Sequence, residues 1–198
     1  MAKVIGVTGG IASGKSLVSA YLIAHGFSIV DADIVAREVV APDSIGLKKV
    51  AATFGNEIVD TKGNLDRKRL AKIVFADDSQ LKLLNDILQP LIRQQIQQEL
   101  QQFIAQGQEY IFLVAPLLFE ENYQSMCDEI MVVTVTLQTQ LQRLMSRDQL
   151  NEQQARRRIA AQWPLSRKIA LADVVIDNDG TIAQTKAQLA AWIKRTIA

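Results

Sequence analysis

A chain of 198 residues is long enough for one sizeable core, and its 22 Lys and Arg against 21 Asp and Glu create no bulk field toward nucleic acid or an anionic membrane. No apolar run approaches the ~18 residues of a bilayer span. The lone cysteine, Cys127, excludes an internal disulfide, and one histidine without paired cysteines gives no zinc spacing. The expectation is a cytoplasmic protein with no room for a signal peptide before its first strand, whose anion recognition is local.

Val4–Thr8 reads as a buried strand and opens directly into Gly9-Gly10-Ile11-Ala12-Ser13-Gly14-Lys15-Ser16. This is G-x-x-x-x-G-K-S, the phosphate-binding P-loop. Gly9 and Gly14 let the backbone curl with positive φ and approach a polyphosphate closely. The loop N–H groups and the positive end of the following helix converge on the anion. Lys15 would reach the β- and γ-phosphates, and the Ser16 hydroxyl would bind Mg²⁺. The pattern implies a nucleoside triphosphate.

The helix that follows runs to about Ala24, with His25-Gly26 as its stop and the imidazole placed to satisfy terminal carbonyls. A second strand, Ser28–Val30, leads into Asp31-Ala32-Asp33. An aspartate beyond a strand's carboxyl end can orient an attacking hydroxyl or take its proton, and a second can hold Mg²⁺ through water. Alternatively, Asp33 caps a helix over Ile34–Val40. The next ~80 residues have mainly helical patterning, broken at Pro42, Gly55, Gly63 and Pro90. That is too long for an ordinary crossover, so a helical insert beside the nucleotide site is expected. Within it, Ile96, Leu100, Phe103 and Ile104 mark an amphipathic helix through Gln94–Gln108.

Strands follow at Tyr110–Val114, Glu129–Val135 and Asp173–Ile176, and the alternation of strands with helices predicts an α/β fold with a parallel sheet. The third strand does not close on an aspartate, but Glu120 lies where a metal- or substrate-facing group can sit. Cys127 has no basic sequence neighbour and reads as a small filler. Gln138–Ala172 carries Arg143, Arg147, Arg156, Arg157, Arg158, Arg167 and Lys168. This local excess points to phosphates, or else to a pair of solvated helices paired through Asp148 and Glu152. Arg143 and Arg147, four apart, share a helix face. Trp163 reads as packing within this region or beside a base, and Trp192 as core. The last helix begins at Thr181, a plausible N-cap.

The chain resembles the dephospho-coenzyme A kinase family. The resemblance rests on Val7-Thr8 with the P-loop, Asp31-Ala32-Asp33, Phe75-Ala76-Asp77, Pro90-Leu91-Ile92 and Pro116-Leu117-Leu118-Phe119-Glu120. It continues through Gln140–Asp148, Ala160-Ala161-Gln162 and Ala172–Asn178. It implies a P-loop kinase fold: a five-stranded parallel sheet flanked by helices, with a helical substrate-binding insert at about 40–108 and a mobile lid at about 138–170. It implies ATP and Mg²⁺ as cofactors and phosphorylation of the ribose 3′-hydroxyl of dephospho-coenzyme A, by a monomer or weak homo-oligomer. Catalytic roles fall to Asp33 as base, Lys15 and Arg147. Gly9, Gly10, Ile11, Ala12, Ser13, Gly14, Lys15, Ser16, Leu17, Arg143 and Arg147 would hold ATP, and Thr8, Asp33, Pro116 and Leu117 the acceptor.

Three positions depart from the family. Ala12 replaces a frequent Gly, which a negative φ would tolerate. Leu17 replaces a common Thr, and Gln89 replaces a His that precedes proline and cannot carry its proton. A kinase for a nucleoside or another small molecule is the alternative. A GTP-driven switch would need Asn-Lys-x-Asp, which is absent, and the D-x-x-G at Asp177-Asn178-Asp179-Gly180 follows the final strand.

Overall fold

The computed structural model describes residues 2–197. In chain order its elements are β1 (Lys3–Gly9), α1 (Lys15–Ala24), β2 (Ser28–Asp31), α2 (Ala32–Glu38), α3 (Ile45–Phe54), α4 (Arg67–Val74) and α5 (Asp78–Ala105). They continue with β3 (Tyr110–Val114), β4 (Glu129–Thr134), α6 (Leu137–Asp148), α7 (Glu152–Ala160), α8 (Leu165–Ile169), β5 (Val174–Asp177) and α9 (Ile182–Thr196). The chain divides into two compact units, one running to Val30 and resuming at Phe103, the other Asp31–Gln102.

The first unit is built on the expected five-stranded parallel sheet, in the order β2-β3-β1-β4-β5. Ile5 pairs with Phe112 of β3, and Val7 with Met131 of β4. β1 is almost wholly buried, which suits its near-continuous apolar run. Side chains alternate across the sheet. Ile5, Val7, Phe112, Val114, Met131, Val133 and Ile176 share a cluster with Val18 and Leu22 of α1 and Leu189 and Trp192 of α9. Trp192 is therefore core, meeting Phe112 edge-on at 6.0 Å between ring centroids. On the other face Gly6 leaves room for Cys127, because a Cβ there would lie 2.8 Å from the sulfur. α9 starts where expected: Thr181 and Gln184 form a reciprocal capping box.

The connection leaving β1 runs toward the β2 edge and that leaving β4 toward the β5 edge. Outside the carboxyl ends of β1 and β4 there is thus a topological switch point, where α/β sheets bind their ligands.

The second unit has its own core of Val50, Phe54, Ile58, Leu70 and Val74, with Leu81, Leu84, Ile87 and Leu88 packed against it. Two expectations are corrected here. Pro90 does not break the helical insert, because α5 runs through it from Asp78 to Ala105. Proline removes one backbone bond, but Ile87 and Leu88 before it are packed and Ile92, Ile96 and Leu100 after it are buried. Burial on both sides carries the helix across. Nor does Asp33 cap the next helix: α2 begins at Ala32, and Asp31 is its N-cap, accepting from the N–H groups of Asp33 (2.8 Å) and Ile34 (3.3 Å).

Candidate functional site

The P-loop bridges β1 and α1 at the switch point. Gly14 precedes α1 at φ 95°, a left-handed conformation that costs glycine little, and a Cβ there would run into the Asn178 amide. The N-cap residue of α1 is Gly14, which has no side chain to cap it, so the positive end of the helix faces the loop as an anion site. Lys15 Nζ donates to the carbonyls of Gly9 and Gly10, at 3.1 Å each, which holds the ammonium over the loop. Ser16 is exposed in the first turn of α1, and Leu17 is half-buried beside it. Ser13 is buried, and among the described residues its hydroxyl has no hydrogen-bond partner.

Ala12 has φ 60°, so the negative φ that would let alanine stand easily in glycine's usual place is not met. The turn of the loop requires the left-handed region, which costs an alanine about 1–2 kcal/mol. What holds it there lies on either side. The Ile11 N–H donates to Gln162 Oε1 at 2.8 Å, and Gln140 Nε2 donates to the Ile11 carbonyl at 2.8 Å. One residue beyond Ala12, Asn178 Nδ2 donates to the Ser13 carbonyl at 2.8 Å. Asn178 is fixed in turn by the Thr185 hydroxyl, which donates to its Oδ1, and by Arg143, which donates to its backbone carbonyl.

The basic segment divides by role. Arg143 joins the P-loop through Asn178. Arg147, one turn on, forms a two-pronged pair with Asp148 at 2.8 and 3.1 Å. That bond raises the Arg147 pKa, and Arg147 together with Arg158 holds the Asp148 carboxyl below its ordinary range. Arg156 pairs with Glu152, as the solvated reading of the segment expects. Lys168 answers to neither reading, because it is fully buried and not directed at solvent or phosphate. It binds Glu120 at 2.8 Å and the Pro116 carbonyl at 2.8 Å. Glu120 also accepts the Trp163 N–H, so it ties the strand-end loop to the turn before α8. Trp163 stacks on Phe119 with Arg167 over its ring, so it packs the segment against the loop after β3.

The Thr8 hydroxyl reaches the Pro116 carbonyl at 3.3 Å, bringing two of the expected acceptor residues together beside half-buried Leu117. Asp33 is exposed in the first turn of α2. His25 ends α1 with its ring nitrogen against the Tyr21 carbonyl, as expected of a terminal histidine. Burial pushes the Cys127 thiol up to about 12, so it is protonated at neutral pH and is no nucleophile.

Sequence reasoning missed the roles of Gln140, Gln162, Asn178 and Lys168. Their signal was faint: polar residues at positions of their helices or turns that face apolar neighbours.

A family model described as dephospho-CoA kinase matches residues 3–184. A dephospho-CoA kinase from Enterococcus faecalis is 43% identical over 198 residues, covering 100% of this chain and 98% of its own. Among solved structures, TT1252 from Thermus thermophilus superposes with a TM-score of 0.82 at 31% identity, covering 98% of each chain. A dephospho-CoA kinase from Campylobacter jejuni gives a TM-score of 0.77 at 27% identity, over 98% of this chain and 97% of its own.

Proposed function

The chain belongs to the dephospho-CoA kinase family, and from that premise we propose that it transfers the γ-phosphoryl group of ATP to the ribose 3′-hydroxyl of dephospho-CoA. The products are CoA and ADP. The observation that carries the reading is the P-loop, held at the switch point by amide side chains from α6, the α7–α8 turn and the β5–α9 turn.

Phosphoryl transfer passes through a loose transition state, so the protein's work is positioning and charge neutralisation. The loop amides and the α1 N-terminus receive the phosphates, and Lys15 exchanges its two loop carbonyls for phosphate oxygens. Arg143 and Arg147 supply further positive charge from α6. For Arg147 this means leaving Asp148, and we assign α6–α8 the part of a lid that closes over the triphosphate. Asp33 orients the acceptor hydroxyl and takes its proton, with Thr8, Pro116 and Leu117 lining the acceptor's approach. Mg²⁺ fits through the Ser16 hydroxyl. The Ser16 hydroxyl, exposed in the first turn of α1 beside the phosphate cradle, is the protein group that would hold the cation. When bound, it neutralises charge on the β- and γ-oxygens. The single protonated cysteine suits the reducing cytoplasm we assign as its location.

An acceptor panel tests the reading. With ATP and Mg²⁺, ADP release is expected to track added dephospho-CoA and to stay at background with nucleosides, nucleoside monophosphates and shikimate. ADP release with a nucleoside and none with dephospho-CoA would replace the assignment by the other small-molecule kinase reading.

A further inference from the structure

We propose that Gln140 and Gln162 are positioning residues. They clamp Ile11 from both sides and so hold the P-loop in its left-handed turn at Ala12. The inference rests on the reading of the P-loop as the triphosphate site.

Three independent observations meet at this loop. The two polar groups of Ile11 are each taken by a different glutamine, both at 2.8 Å: its N–H by Gln162 and its carbonyl by Gln140. Gln140 reaches the loop from inside the protein, with 4% of its surface exposed, and Gly10 makes way for it. A Cβ at Gly10 would lie 2.5 Å from Gln140 Nε2. The side chains of Ile11 and Ala12 also pack against Leu141, Leu144 and Ala155, so apolar contact holds the same stretch to α6 and α7. Gln140 fixes the peptide before Ala12, the Ser13 N–H fixes the one after it by donating to the Gly10 carbonyl at 3.1 Å, and Asn178 holds the next peptide at the Ser13 carbonyl. A backbone held in a sparsely populated region persists when its surroundings over-determine it, and here they do.

The chemistry of the clamp suits an anion site. A neutral amide can accept from the N–H or donate to the carbonyl of Ile11 without adding charge. A carboxylate in the same place would repel phosphate, and an ammonium would compete with Lys15 for it. The two amides come from α6 and from the turn between α7 and α8, so the segment bearing Arg143 and Arg147 is also the one that sets the loop's shape.

The test is a double-mutant cycle on the full chain. Calorimetry gives the ATP dissociation constant, steady-state assays give KM and kcat for both substrates, and melting without nucleotide reports the fold. Gln162→Leu is expected to weaken ATP binding about tenfold and raise KM for ATP similarly. KM for dephospho-CoA should change less than twofold, with melting within a few degrees of wild type. Gln140→Met, on the opposite side of Ile11, is read in the same way, so a folding defect in one variant leaves the other. In an Ala12→Gly background, where φ 60° carries no Cβ penalty, Gln162→Leu should lose clearly less ATP affinity than it does in the wild type. Unchanged ATP affinity in both glutamine variants, or an equal loss in the wild-type and Ala12→Gly backgrounds, would overturn the clamp. Failure of the wild-type protein to bind ATP would instead overturn the triphosphate reading.

Discussion

Replacing Lys15 with alanine is expected to lower turnover at least ~100-fold while leaving the fold intact. The ammonium is held 3.1 Å from the carbonyls of Gly9 and Gly10, over the cradle that the α1 N-terminus completes. A donor aimed at charge that develops in the transition state contributes ~10²–10³ in rate. Alanine removes that donor and leaves the loop's own amide clamps untouched, so the loss should fall mainly on kcat, with a smaller rise in KM for ATP. Steady-state kinetics alongside circular dichroism checks this. Turnover close to wild type would mean that Lys15 does not meet the transferring phosphoryl group.

Asp33→Asn should lower turnover by ~10²-fold or more. A general base contributes ~10²–10⁴, and a loose transition state keeps the hydroxyl's proton in place until late, which favours the lower end. The cap geometry makes the experiment clean. Asp31, not Asp33, accepts the first N–H groups of α2, so the loss at position 33 is not that of a helix cap. Asparagine caps about as well as aspartate, so Asp31→Asn should be nearly silent. ATP binding, measured beside turnover, should change little in either variant. An active Asp33→Asn beside an inactive Asp31→Asn would show that the base had been assigned to the wrong carboxylate.

The strands and the phosphate loop were legible in the sequence because their signals are local. A buried parallel strand is a run of apolar residues, and G-x-x-x-x-G-K-S needs nothing outside itself. The third strand, Tyr110–Val114, falls where the pattern put it. β5 is displaced by one residue, to Val174–Asp177, because Asp173 ends its approach by accepting the Ile130 N–H. Pro90 misled because a local rule was overridden by burial farther along α5. Asp33 looked like a cap because two aspartates lie two residues apart, and only the backbone decides which one precedes the helix.

Roles set by partners distant in sequence were harder to read. Lys168 belongs to a run of cations by composition, yet Glu120 and Pro116, about fifty residues earlier, make it an internal strut. Gln162 lies 151 positions from the Ile11 N–H it accepts. Ala12 is the most informative of these positions. Alanine in place of glycine left open which φ the loop takes, and the φ of 60° shows a turn enforced by neighbours that the local sequence does not contain.

The central claim is a specific bond: oxygen at the ribose 3′ position of the acceptor to the γ-phosphorus of ATP. Phosphorus NMR and mass spectrometry of the product made from dephospho-CoA and ATP test it most directly. The account predicts one phosphate gained per ADP formed, with a new monoester resonance coupled to the 3′ proton of the ribose. A product phosphorylated elsewhere, or ADP and free phosphate formed with dephospho-CoA recovered unchanged, would contradict it.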